Sequence, residues 1–281
     1  IMSRIAYVNG RYVRHKEAAI HIEDRGYQFG DGIYEVITII NGRLYDCDGH
    51  LKRLKRSLAE MSLESPLSED VLLLVMKRLV QMNSLKHGTV YLQITRGVAR
   101  RDHKFPIHAQ PAIVMTVKHM RLAERQPENG VKAIIVDDLR WARRDIKTIQ
   151  LLPNCLAKQA AAEQGAYEAI MVMPDGTVSE GSSSNIWIVT SQNTLVTRPA
   201  SSDILNGITR QTIEKIAKDL QLSVEFRTFD VPEMLAAKEV FVTSATSLAT
   251  AITKIDEHVI SDGKVGNIAH ALRADYFATA Q

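Results

Sequence analysis

The chain has 281 residues, 45% of them hydrophobic and 24% charged, the composition of an ordinary globular protein rather than a disordered or fibrous one. Lys and Arg number 35 against 32 Asp and Glu; a net charge of +3 does not argue for a nucleic-acid partner, none is expected, and any anion preference is left to local placement. No apolar run approaches the ~20 residues of a membrane span, and the two cysteines, Cys47 and Cys155, stand far apart in no metal-type spacing, which suits a reducing cytoplasm.

At ~100–150 residues per domain, this length suits two domains. The start, Ile1-Met2-Ser3-Arg4, has no apolar leader core, and Ile1 ahead of Met2 is set aside from the fold. Residues 5–8 and 11–13 read as strands joined by Asn9-Gly10, a strong hairpin signal. From His21 to Gly32, the glycines Gly26, Gly30 and Gly32 mark a shaped loop. A strand at 33–40, Asn41-Gly42 and a strand at 43–45 give a second hairpin, with Tyr34 and Val36 on one face and Glu35 on the other. Asp48 is the expected cap of a helix carrying Leu51, Leu54, Leu58 and Met61 inward. Ser68 starts another, with Val71, Leu72, Val75, Leu79 and Met82 inward. Strands at 89–95 and 112–117 flank a basic loop, and the polar stretch 122–130 reads as a linker.

The second half opens with a strand at 131–136, followed by the segment Asp145-Ile146-Lys147-Thr148-Ile149-Gln150-Leu151-Leu152. A helix is expected over 155–164, strands at 167–173, 178–189 and 194–197, and a helix from Asn206-Gly207-Ile208-Thr209 to Leu220. Strands at 223–227, 240–242 and 252–255 and a last helix over 266–277 complete the chain. Strands arriving as hairpins argue against a regular βαβ architecture, so the expected class is α+β with domains at 1–120 and 131–281 and a linker at 121–130.

Several residues suit chemistry. An inward-facing lysine is costly; once desolvated, its ammonium sheds a proton readily and becomes a nucleophile, so Lys147 is a candidate to form a Schiff base with an aldehyde cofactor. The commoner alternative is a strand-edge lysine with a wet head. In Glu180-Gly181-Ser182-Ser183-Ser184-Asn185, the acid is either a turn residue or an ionised partner for a cationic ring nitrogen, which makes the ring an electron sink. Gly207-Ile208-Thr209 opens a helix whose N–H groups and dipole suit a phosphate, although every helix start has such groups. Arg53 is a second phosphate candidate or a solvated arginine. Arg101 and His103, two apart on the basic loop, either pin a carboxylate together with Tyr34 or are solvated charge. The chain lacks a His-Glu-x-x-His, paired Cys-x-x-Cys, Walker A or Gly-x-Ser-x-Gly pattern. His103 and His108 share a loop without further zinc ligands, so no metal is expected.

Together these segments resemble the fold-type IV pyridoxal-phosphate enzymes, and among them the D-amino-acid aminotransferases. The resemblance rests on 24–36, Asp145-Ile146-Lys147 with Leu151-Leu152, Glu180-Gly181-Ser182-Ser183-Ser184-Asn185 and Gly207-Ile208-Thr209-Arg210, in the family's order. It implies a smaller α+β N-terminal domain, a pseudo-barrel C-terminal domain that binds pyridoxal 5′-phosphate, and a site between them. It implies that Lys147 is the Schiff-base lysine and moves the substrate's α-proton, and that Glu180 pairs with the pyridine nitrogen. Arg53, Ile208 and Thr209 are implied to hold the phosphate, and Leu205 to pack on the cofactor ring. Tyr34, Arg101 and His103 are implied to trap the substrate carboxylate, the last two from the neighbouring subunit of a homodimer. The implied reaction is ping-pong transamination of D-amino acids, such as D-alanine and D-glutamate, with 2-oxo acids. The branched-chain L-amino-acid aminotransferases and the aminodeoxychorismate lyases of the same fold remain alternatives. One position departs: alanine, at Ala245, stands where the family commonly has a phosphate-binding threonine, with Ser244 and Thr246 as candidates to compensate.

Overall fold

A computed structural model of the chain describes residues 4–120 and 129–279. Most of the expected linker, at 121–128, lies outside the described residues. The chain divides into two compact units, Ile1–Leu122 with Ile146–Gln150, and Ala123–Asp145 with Leu151–Gln281.

In the first unit, β1 (Ile5–Val8) and β2 (Arg11–Arg14) form the expected hairpin, with positive φ at Asn9 (44°) and Gly10 (91°) as a tight two-residue turn demands. Within the expected loop at 21–32, a short helix forms instead, α1 (Arg25–Phe29). Asp24 caps it by accepting the Gly26 N–H (2.8 Å), and Gly30 ends it at φ 66°. β3 (Gly32–Ile40) and β4 (Arg43–Leu44) follow as the second hairpin. Helix α2 (Cys47–Glu60) begins ahead of the expected cap: Asp46 holds the cap position, and Asp48 falls in the first turn, where its charge suits the helix dipole. Helix α3 (Glu69–Met82) is capped by Ser68 as expected. Its buried stripe runs through Leu72, Val75, Met76, Leu79 and Val80, while Val71 and Met82, expected inward, are 39% and 38% exposed. Strands β5 (Gly88–Thr95) and β6 (Ala112–His119) complete an antiparallel sheet in the order β2-β1-β6-β5-β3-β4. Ile33, Ile37, Leu92, Ile94 and Met115 form one core with Leu54, Met76 and Leu79 of the helices. The strand's period of two puts Glu35 on that helix-covered face with Ile33 and Ile37, and Tyr34 and Val36 on the other.

Residues 146–150 belong to this first unit, whereas the expected C-terminal domain, 131–281, included them. The reason is main-chain pairing: the Tyr34 N–H donates to the Lys147 carbonyl (3.0 Å), the Ile149 N–H donates to the Gly32 carbonyl (3.1 Å), and Ile146 joins the first core.

The second unit begins with β7 (Val131–Asp137), α4 (Leu152–Glu163) and β8 (Glu168–Val172), a parallel pair with a helix between. Helix α4 starts at Leu152 and not at 155, because Pro153 is tolerated in a first turn whose N–H groups have no helical partner. β9 (Val178–Gly181), β10 (Asn185–Val189), β11 (Leu195–Thr197), α5 (Ile208–Asp219) and β12 (Val224–Phe226) follow. A short helix not expected from the sequence, α6 (Val231–Leu235), is capped by Asp230, which accepts the Glu233 N–H (2.9 Å). Then come β13 (Glu239–Ser244), β14 (Leu248–Ile255), β15 (His258–Val259) and α7 (Asn267–Ala278).

Its sheet runs β12-β11-β10-β13-β14-β7-β8-β9, with β15 on β14. β9 and β10 lie five strand positions apart in this order, yet only residues 182–184 join them. A flat sheet would separate them by about 24 Å at ~4.8 Å per strand, and the link reaches at most ~14 Å at ~3.5 Å per residue. The sheet therefore curls back toward its own edge, as the expected pseudo-barrel requires. Ile188, Val242, Ile252, Phe229 and Met234 fill its core. Among the described residues, no helix is long and apolar enough to cross a membrane.

Candidate active site

Each unit carries its own set of functional side chains. In the first, Ile146 and Thr148 are buried and Lys147 between them is half-buried, which falls between the inward-facing and the strand-edge lysine. Its Nζ stands 4.2 Å over the Tyr34 ring, and its ammonium makes no ion pair among the described residues. Its main-chain N–H meets Ser57 Oγ at 3.4 Å. Tyr34 in turn stacks on Tyr91 (centroids 5.6 Å apart, planes at 28°), whose hydroxyl donates to Gln93 Oε1 (2.6 Å). Burial, helped by Tyr34, pushes the Tyr91 hydroxyl up to about 12, so it stays neutral.

Behind this face lies a charge cluster. Glu35, 1% exposed, accepts from Arg53 Nε (2.8 Å) and Nη2 (2.7 Å) and from His50 Nδ1 (2.7 Å). Burial alone would raise the Glu35 carboxyl, but Arg53 and His50 outweigh it and bring the pKa down to about 2. Burial also lowers His50, against the pull of Glu35. His50, Arg53 and Ser57 stand on one face of α2 at helical spacing, so the cation expected at a phosphate is held by an acid from β3.

Arg101 and His103 form a second cluster in this unit. Both are exposed, and both gather on Phe29: the Arg101 guanidinium stands 5.0 Å from its ring centre and the His103 ring 5.6 Å.

In the second unit Glu180, on β9, is 4% exposed. Arg140 Nη1 donates to its Oε1, Asn185 Nδ2 to its Oε2 (3.0 Å), and the Leu205 N–H lies 3.2 Å from Oε2. Arg140 is itself gripped by Asp138 through Nε (2.9 Å) and Nη2 (2.7 Å). Burial would raise Asp138; Arg140 and Ser179 more than offset it and bring it down to about 2. At Glu180, burial wins and raises the carboxyl, with Arg140 and the Leu205 N–H pulling the other way. Such a group gains from one more cation or donor. Asn185 also donates to the Leu205 carbonyl (2.8 Å) and so ties Glu180 to the stretch that enters α5. Gly207 caps α5 and offers no side chain to its first N–H groups; Ile208 and Thr209 are buried there. A Cβ on Gly207 would lie 2.1 Å from Asn185 Oδ1, so the tie needs glycine.

A sequence model for class IV amino-transferases matches residues 32–255. The chain is 43% identical over 258 residues to the D-alanine aminotransferase of Bacillus licheniformis, covering 92% of this chain and 90% of that one. It is 42% identical over 271 residues to that of Staphylococcus aureus, covering 96% and 95%. The chain belongs to the class IV aminotransferases. The fold agrees: the Escherichia coli branched-chain amino acid aminotransferase superposes with a TM-score of 0.90 at 22% identity, over 98% of this chain and 94% of that one. The branched-chain aminotransferase of Thermoproteus uzoniensis gives 0.85 at 26%, with the same coverage.

Class IV aminotransferases depend on pyridoxal 5′-phosphate. The donor set suits it. Glu180 accepts from Arg140, from Asn185 and from a Leu205 N–H shared by both its oxygens, and as a buried acid with a raised carboxyl it suits a protonated ring nitrogen as a further partner. The uncapped start of α5 offers N–H groups to a phosphate, and Lys147 offers an amine not committed to an acid. Arg140, Asn185, Glu35 and His50 were not singled out individually as site residues from the sequence. His50 and Arg140 show only spacing, three residues before Arg53 and two after Asp138, whereas Asn185 lies in the Glu180 segment and Glu35 in the stretch 24–36 that carry the resemblance.

Proposed function

We propose that this class IV aminotransferase moves the amino group of D-amino acids, D-alanine and D-glutamate among them, to 2-oxo acids by a ping-pong reaction. The observation that carries the reading is the 43% identity to a D-alanine aminotransferase over 92% of the chain. The Arg101 and His103 pair supports it, because the resemblance to the D-amino-acid aminotransferases implies those two residues as the carboxylate trap. Against it stands only likeness in fold to branched-chain enzymes, at 22% and 26% identity.

Pyridoxal 5′-phosphate supplies an aldehyde that condenses with amines and a ring that draws electrons from the substrate's Cα. Lys147 would hold that aldehyde through Nζ, and its free amine would be the base for the substrate's α-proton. The Tyr34 ring 4.2 Å away steadies the ammonium that results. Glu180 keeps the ring nitrogen protonated, and Arg140 and Asn185 keep Glu180 aimed. Ile208 and Thr209 would hold the phosphate by the N–H groups of α5, with Arg53 adding charge and Leu205 packing on the ring. Tyr34, Arg101 and His103 receive the substrate carboxylate, the last two from the second copy of a homodimer in the cytoplasm.

The test is a set of initial rates with 2-oxoglutarate and a panel of D- and L-amino acids. D-alanine is expected to react at least about 100-fold better than L-leucine in kcat/KM. Turnover of L-leucine alone would replace this reading with the branched-chain one.

A further inference from the structure

Arg25 is a buried cation, 3% exposed, that no part of the reaction above uses. Its Nε donates to Asp31 Oδ2 (2.7 Å), which also accepts from Arg96 Nε (2.8 Å). Its Nη1 donates to the main-chain carbonyl of Asp102 (2.6 Å), the residue between Arg101 and His103. Its own N–H donates to the Gly97 carbonyl (2.9 Å), and the Ala99 N–H donates to Glu23 (3.3 Å). One residue thus grips the loop at Gly97 and again at Asp102. A solvated basic loop needs no such anchor, and burying a guanidinium is costly unless its bonds serve something. One turn on, Phe29 lies between the same partners. The Arg25 guanidinium is 4.6 Å from its ring centre, that of Arg101 is 5.0 Å away, and the His103 ring is 5.6 Å away. The peptide between the two exposed donors is therefore fixed by Arg25, and their side chains rest on Phe29.

We infer that Arg25 and Phe29 are positioning residues for the substrate's α-carboxylate, acting by holding Arg101 and His103 in their binding geometry. This rests on the reading above that Arg101 and His103 receive that carboxylate. A pre-set pair of donors binds without first ordering two long side chains, so loosening them weakens binding and leaves the chemical step intact.

The experiment uses the cofactor-loaded enzyme and three variants, Arg25→Met, Phe29→Leu and Arg101→Met. The probes are D-alanine turnover with 2-oxoglutarate and calorimetric binding of propanoate, a carboxylate without the reacting amine. Arg25→Met and Phe29→Leu are each expected to raise KM for D-alanine and the propanoate dissociation constant together, by about tenfold, with kcat within about twofold of the parent. Combining Arg25→Met with Arg101→Met is expected to add less than the product of the two effects. A fall in kcat with propanoate binding unchanged makes these residues scaffold only and overturns the inference. If Arg101→Met weakens propanoate and neither Arg25→Met nor Phe29→Leu does, the inference alone fails. If Arg101→Met has no effect, the carboxylate reading itself fails. Should Arg25→Met melt below the assay temperature, Phe29→Leu decides.

Discussion

Lys147 and Glu180 show how differently one fold can treat two reactive groups. The lysine is half-buried above an aromatic face, with no acid to neutralise it among the described residues, so its amine remains available. The glutamate is buried and ringed by donors, which holds its carboxylate in one direction. The resemblance implies a phosphate-binding threonine where Ala245 stands. Of the two candidates to compensate, Ser244 has its hydroxyl engaged within its own turn, with Ser247 Oγ (2.7 Å), Thr246 Oγ1 (3.2 Å) and the Ser247 N–H (3.1 Å). Ala245→Thr is therefore expected to restore a phosphate contact and tighten the cofactor by about 1 kcal/mol, roughly fivefold. Titration of the cofactor-free protein reads this directly, and an unchanged dissociation constant would refute it.

At the scale of elements, helix ends and helix faces do most of the placing. Helix α2 turns His50, Arg53 and Ser57 toward β3 and the lysine segment, so one rigid element sets both the acid cluster and the main chain at Lys147. The entry to α5 is tied to Glu180 through Asn185. Gly207→Ala would push a Cβ to 2.1 Å from Asn185 Oδ1, so the side chain has to leave. Losing its two bonds should weaken cofactor binding by about tenfold, and alanine at the cap position should cost about 1 kcal/mol of stability besides. Cofactor titration alongside thermal melting checks this; unchanged binding would show that Asn185 does not carry the link.

For the whole molecule, buried acids set the response to pH. Glu35 and Asp138 fall to about 2 in the folded state from ordinary values of 4.5 and 3.8. A carboxyl depressed by folding contributes stability above its unfolded pKa and loses it as pH drops through the folded value. Each therefore contributes on the order of 2–4 kcal/mol near neutrality, lost between about pH 4.5 and 2. His50, lowered by burial, acts earlier: the unfolded chain binds its proton below about pH 6.5 and the folded one does not, so stability begins to fall there. Glu180 runs the other way, because its pKa is raised and protonation relieves a buried charge. Urea midpoints from pH 7 to pH 3 should decline gently and then steeply. A midpoint that holds constant to pH 3 would show that these ion pairs do not support the fold.

Hairpins, the start of α3 at Ser68 and the entry to α5 were legible in the chain itself, because each is written in local chemistry. Asn-Gly turns, a capping serine and a glycine at a helix start act over a few residues. Motif order was enough to point to a pyridoxal-phosphate aminotransferase. Less legible was anything that depends on partners distant in sequence. The helix α1 inside a glycine-rich loop starts at Asp24, which Thr95 holds through its hydroxyl (2.8 Å), and α6 starts at Asp230, which pairs with Thr177. The buried stripe of α3 shifted toward Met76 and Val80 because the sheet, not the helix's own pattern, decides which face is covered. The lysine segment joined the first unit through bonds to Gly32 and Tyr34, over a hundred residues earlier. The amino-acid sequence alone determined which reactive groups the protein has and in what order. Only the tertiary structure decided that Glu180 is held by Arg140 and Asn185, Arg53 by Glu35, and the Arg101–His103 loop by Arg25, because buried charges take their partners from whatever strand or helix folding brings beside them.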